Sequence, residues 1–146
     1  MRQARDIFSV RLQDVDSFLA LLWPGGPGAH WLTPPGAPHT LKDVAKRLVT
    51  SGYYFDSLAE ESLRFPDGHD PAFFAKFPYI DEKFDYERIG LLALATLGDD
   101  EQARSPQANF YIYDGVRRSL VLAKRLLTGQ TSYQAVSALL LNPRPL

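Results

Sequence analysis

The chain has 146 residues, 45% of them hydrophobic and 23% charged, with a net charge of −1 and no cysteine. That is the size of one ordinary domain, able to bury about two-thirds of its unfolded-chain surface without a metal or disulfide staple. The lack of cysteine excludes a disulfide framework, a thiolate zinc site and a cysteine nucleophile. No apolar run is long enough to span a membrane, and the first sixteen residues lack an uninterrupted apolar stretch of the secretory type, so a cytoplasmic protein is expected. A substrate of a specialised export system would read the same way.

In chain order, Ile7–Leu12 alternates and reads as a first strand. Gln13–Trp23 places Val15, Phe18, Leu19 and Leu22 at spacings of three and four, which predicts a short amphipathic helix. Pro24–His39 holds five prolines and four glycines and is expected to be a loop pinned by Trp31 and Leu32. Thr40 is the expected N-cap of a helix over Leu41–Val49, with Gly52 ending it. Tyr53–Phe55 reads as a brief extended piece, and Ser57–Leu63 as a short helix stopped by Pro66-Asp67-Gly68. Phe73, Phe74 and Phe77 predict one helical turn with inward rings, and Pro78 starts a stretch expected to be irregular and acidic. Gly90–Leu97 reads as a buried strand, Gly98–Asn109 as a loop, and Phe110–Tyr113 as a strand paired with Gly90–Leu97. Val116–Thr128 is the strongest helix, with Val116, Leu120, Ala123 and Leu127 on one face and Gly129 at C′. Tyr133–Leu141 is the last predicted strand, before Asn142-Pro143-Arg144-Pro145. The expected fold is therefore a single α/β domain, a small mixed sheet flanked by helices.

Charge is unevenly distributed. From Gly115 to Leu146 there are five basic residues and no acidic one, whereas Asp81–Glu101 holds seven acids against Lys83 and Arg88. Two of the basic residues, Arg117 and Arg118, follow Asp114-Gly115 at the start of the strongest helix. A helix N-terminus presents unpaired N–H groups and a partial positive charge of about +0.5, and arginine grips phosphate oxygens in bidentate pairs. Together these predict a site for a phosphate or another anion. Asp114 is expected to cap the helix, and Gly115 to permit a sharp backbone bend or a close ligand approach. On a helical wheel Arg118 and Arg125 point outward. A basic surface of this extent suits a small anion rather than extended duplex DNA.

The order strand–Asp-Gly-x-Arg-Arg–helix–Gly–strand resembles the phosphate-binding core of the ParB/sulfiredoxin superfamily. The matching parts are Phe110–Tyr113, the box Gly115-Val116-Arg117-Arg118, the helix Ser119–Thr128, Gly129 and Tyr133–Leu141, with Gly90–Leu97 as the preceding family strand. The resemblance implies a compact α/β domain that holds a nucleoside triphosphate, ATP or CTP with Mg²⁺, at the box. Family members use such a site for nucleotide switching, hydrolysis, phosphoryl transfer or nuclease activity. Carried over, Gly115, Arg117, Arg118 and Ser119 would contact the phosphates, and Asp114 would position the loop. Three departures stand out: the chain has no cysteine for sulfiredoxin's redox chemistry, Val116 replaces a residue that is often polar, and the sequence leaves no room for the DNA-binding and dimerisation domains of segregation proteins. Residues 1–89 would be an N-terminal elaboration on a core of 90–146.

Other constellations are weaker. There is no Walker-type phosphate loop, and Gly25-Gly26-Pro27-Gly28 lacks its lysine. His30, His39 and His69 match no zinc spacing, so no metal site is expected. Among Asp81, Glu82, Asp85 and Glu87, Glu87 lies just before the predicted strand and is the candidate catalytic carboxylate for hydrolysis or transfer. The same acids also suit pairing with the basic C-terminal third. Leu41–Leu48 resembles the first helix of a helix-turn-helix repressor but lacks the expected continuation. Trp23, Trp31 and the phenylalanines read as core and loop anchors rather than base-stacking platforms. Two further functions stay open on the same fold: a regulatory module that engages a protein partner without turnover, and a metal-dependent nuclease acting on DNA.

Overall fold

The computed structural model describes residues 6–24, 39–52 and 71–143. Four strands form one mixed sheet: β1 (Asp6–Leu12), β2 (Leu92–Ala95), β3 (Tyr111–Asp114) and β4 (Val136–Asn142), in the order β1-β4-β2-β3. The strand β4 runs antiparallel to β1 and parallel to β2, and β2 pairs with β3, as expected from the sequence, in antiparallel direction. Register places Leu12 opposite Val136, Leu92 opposite Ala138, and Leu94 between Leu140 and Ile112. With a side-chain period of two, these residues share one face of the sheet. Their side chains enter the hydrophobic core.

The described residues contain seven helices, six of which place residues in that core. They are α1 (Val15–Leu19), α2 (Leu41–Ser51), α3 (Pro71–Phe74), α4 (Phe77–Glu82), α5 (Tyr86–Ile89), α6 (Asp99–Arg104) and α7 (Val116–Leu127). Capping explains the best-defined boundaries. Thr40 and Asp43 form a reciprocal box, in which the Thr40 hydroxyl accepts from the Asp43 N–H at 3.3 Å and the Asp43 carboxylate accepts from the Thr40 N–H at 3.0 Å. Gly52 then closes α2 in the left-handed conformation, at φ 71. Each fully buried Leu or Phe contributes about 1.5–3 kcal/mol to stability, and the helices supply Phe18, Leu41, Leu48, Phe74, Phe77 and Leu120.

The helix α7 is buried more completely than a single apolar face implies. Ser119 through Ala123 are all buried, because α7 packs against α2, α4 and the sheet at once. Gly129 stands at C′ as predicted, at φ 74, with the Gln130 N–H bonded to the Arg125 carbonyl at 2.9 Å.

Four segments differ from expectation. The helix predicted for Gln13–Trp23 stops at Leu19, because Leu22 is instead an extended residue that pairs opposite both Thr40 and Tyr111. Leu22 N–H donates to Phe110 O at 2.7 Å and Trp23 N–H to His39 O at 2.8 Å, so tertiary pairing overrides the local period. The acidic stretch after Pro78 is helical: Pro78 sits in the first turn of α4, where its missing N–H costs nothing, and the Asp85 carboxylate accepts from the Glu87 N–H to start α5. The predicted loop 98–109 contains α6, whose first turn is held by the Glu101 carboxylate accepting from the Gly98 N–H at 3.0 Å. Phe73 and Phe74 close α3 while Phe77 opens α4, and their rings pack with centroids 4.9–5.9 Å apart. The predictions for 53–68, for Trp31 and for His30 and His69 lie outside the described residues.

Two tyrosines tie the segment before β4 to its neighbours, Tyr133 to the end of β1 and Tyr86 to α5. The Tyr133 hydroxyl donates to Leu12 O at 2.6 Å, and the Tyr86 hydroxyl donates to Ser132 O at 2.7 Å while accepting from the Gln134 N–H at 3.0 Å. Burial pushes both phenols above the ordinary tyrosine value, and for Tyr133 the neighbouring Tyr86 and Asp14 push the same way. A raised folded value means that the neutral phenol stabilises the fold. The contribution is complete below about pH 10 and is lost as pH rises through the raised values. Urea denaturation from pH 8 to pH 11 should show the wild type losing stability more steeply above about pH 10 than the double variant Tyr86→Phe/Tyr133→Phe. Parallel curves for the two proteins would contradict the assignment.

Candidate anion-binding cleft

The strand β3 ends at Asp114, and α7 begins one residue later. Gly115 is the N-cap residue, at φ 98, in the left-handed region that L side chains rarely adopt. Space makes the same demand as conformation. A Cβ at position 115 would stand 2.5 Å from Leu92 Cδ2 and 3.2 Å from Arg118 Nη2. Leu92 belongs to the core, so the bend is tight because the sheet packs directly beneath it. The glycine is thus required by internal packing, whatever approaches from outside.

No side chain caps α7. This corrects the expectation for Asp114, which is the last residue of β3 and is exposed, and whose side chain has no hydrogen-bond or ion-pair partner among the described residues. Ser119 also departs from expectation as a phosphate contact. It is fully buried, and its hydroxyl donates back to Gly115 O at 2.7 Å, the carbonyl that also receives the Ser119 N–H. Its role is to close the first turn.

Arg117 and Arg118 flank a cleft of about 370 Å³ lined by Phe73, Ile80, Asp114, Gly115, Val116 and the two arginines. Both are half-buried, and neither simply points into solvent. The Arg117 Nε donates to Phe73 O at 3.0 Å, and its guanidinium lies 4.8 Å from the Phe73 ring centroid. Arg118, expected to point outward, folds back across the bend so that Nη1 donates to Ile89 O. Each bond uses one of the five guanidinium donors, which among the described residues leaves the two terminal nitrogens of Arg117 and the Nε–Nη2 edge of Arg118. The cleft therefore combines the first N–H groups of a twelve-residue helix, two guanidiniums and an apolar wall of Phe73, Ile80 and Val116.

Glu87 does not join it. The residue is exposed on α5 and lies outside the cleft lining, so the structure does not bring it together with Arg117 and Arg118 as expected for a catalytic carboxylate at the box. Among the described residues the cleft wall carries one carboxylate, Asp114. The expected pairing of the acidic stretch with the basic C-terminal third is present at Asp81, whose carboxylate accepts from Arg125 Nε at 2.9 Å. The wall residues Phe73 and Ile80 were missed as site residues. Phe73 lies in α3 and Ile80 in α4, and apolar residues on two short helices do not announce that they border a cleft.

No family model, curated protein or solved structure matches this chain.

Gly115 and Gly129 both have positive φ, but a Cβ at position 129 would meet nothing within 4 Å. Gly115→Ala should destabilise the protein by about 2–4 kcal/mol, from backbone strain plus overpacking against Leu92. Gly129→Ala should cost only about 1 kcal/mol, from strain alone. Thermal or urea denaturation measures both, and equal losses would remove Leu92 from the explanation.

Proposed function

We propose that the cleft at the start of α7 binds a phosphorylated small molecule, with a nucleoside triphosphate such as ATP or CTP as the fullest ligand. The observation that carries this reading is the convergence of Arg117, Arg118 and the uncapped end of α7 on a single cleft. An uncapped helix end and two bidentate donors are the groups that phosphate oxygens require. The apolar wall of Phe73, Ile80 and Val116 offers the ligand's non-phosphate portion a surface to lie on. The likeness of Gly115-Val116-Arg117-Arg118 to the ParB/sulfiredoxin box supports the same ligand class. Mg²⁺ would enter with the ligand, held mainly by phosphate oxygens, with Asp114 on the cleft wall as its protein carboxylate.

Binding without turnover is the second reading, and the position of Glu87 outside the cleft favours it. In that form the domain is a regulatory module whose protein partner senses the bound nucleotide. A DNA-cleaving role is the weaker alternative, given a net charge of −1.

Calorimetric titration with ATP and CTP in the presence of Mg²⁺ tests the proposal. Wild type should bind, and either Arg117→Ala or Arg118→Ala should weaken binding by about 10- to 100-fold, the worth of a charge-assisted hydrogen bond. Binding should also weaken as salt is raised. Absence of binding by the wild type, or equal binding by a folded double variant, would reject the reading. Phosphate release by a binding-competent protein would separate turnover from simple binding.

A further inference from the structure

The three arginines on α7 all engage the same stretch of chain, residues 71–89. Arg117 bonds the carbonyl of Phe73 at the start of the stretch, and Arg118 bonds the carbonyl of Ile89 at its end. Arg125 grips the middle: Nε donates to the Asp81 carboxylate and Nη2 to the Asp81 carbonyl, each at 2.9 Å, and its guanidinium lies 4.7 Å from the Phe84 ring centroid. The Asp81 and Arg125 side chains are 30% and 20% exposed, so this pair is better shielded than a surface ion pair.

The two outer bonds constrain the guanidiniums that line the cleft. An arginine on a free stem loses rotamer freedom when it engages an anion. Here the Phe73 carbonyl and ring fix Arg117, and the Ile89 carbonyl fixes Arg118, each with a two-nitrogen edge left over. Those carbonyls are held at their stations by the seating of 71–89 on α7, and Asp81 is the ionic part of that seat. We propose that residues 71–89 act as a jig that aims Arg117 and Arg118, and that Asp81, which lines no part of the cleft, is a positioning residue for anion binding. The proposal rests on reading the cleft as an anion site. Because linkage is reciprocal, an anion held by the two arginines also holds the jig in place, and a loosened jig weakens the anion's hold.

The sign of the effect separates this mechanism from simple electrostatics. Asp81→Asn makes the protein one unit more positive, so charge alone predicts tighter anion binding. A loosened jig predicts weaker binding, by about fivefold or more. Glu82→Gln makes the same charge change at the adjacent exposed position and should leave affinity unchanged or slightly higher. The probe is pyrophosphate, titrated by calorimetry into wild type and both variants, with folding checked by circular dichroism. Amide hydrogen exchange on the wild type adds a measurement that needs no variant: pyrophosphate should slow exchange across 71–89. Weaker binding by Asp81→Asn together with slowed exchange supports the jig. Equal or tighter binding by folded Asp81→Asn, or unchanged exchange on a saturated wild type, overturns the jig and leaves the anion site standing. Failure of the wild type to bind pyrophosphate overturns both.

Discussion

Leu92 Cδ2 occupies the space where a side chain on residue 115 would have to stand. That single packing demand fixes how β3 turns into α7. The backbone must bend at positive φ, the residue there must be glycine, and the helix must begin with no side chain above its first N–H groups. Arg118 can then lie across the bend, because nothing projects from position 115 to block it. Core packing and site geometry therefore have a common origin. A helix end that is seated on the sheet keeps its free N–H groups directed at one place, which is what fixed recognition of an anion needs.

The helix α7 sits between the sheet on one side and α2 and α4 on others. Burial on several sides leaves few outlets for charge. Arg117, Arg118 and Arg125 emerge along the border with residues 71–89, where carbonyls, a carboxylate and two aromatic rings receive them. The basic excess of the C-terminal third and the acidic excess of Asp81–Glu101 thus meet across a real packing boundary. Asp81 is the acid that forms a shielded pair there among the described residues. Asp85 serves as a helix cap, and Glu87 stays at the surface.

Elements set by local rules were legible in the sequence. The Thr40 cap, the Gly52 and Gly129 stops, the strand-bend-helix around Gly115 and the pairing of β2 with β3 each follow from short-range signals. The misread elements depended on partners distant in the chain. Leu22 completes a helical period in Gln13–Trp23 but is claimed by Thr40 and Tyr111. Pro78 read as a breaker, although a proline in a first turn is compatible with helix. At the site, the residue types were legible and the directions were not. Arg118 reads as outward on a wheel, and only the positions of Ile89 and Gly90 show why it turns back. Ser119 and Glu87 carry suitable chemistry in sequence and are placed elsewhere by burial and by the path of α5.

The strand β4 lies between β1 and β2, so the sheet is stitched together by the last strand in chain order. Until Val136–Asn142 emerges during synthesis, β1 has no ladder to join, and β2 with β3 form only a short hairpin-like pair. Isolated two-stranded pairs are marginal in water, so assembly of the sheet depends on contacts between β1 and β4, which are distant in sequence. Pairing of β1 with β4 joins residues as far apart as Asp6 and Asn142, so closing the sheet carries a loop-closure cost that slows folding relative to a fold built from local contacts.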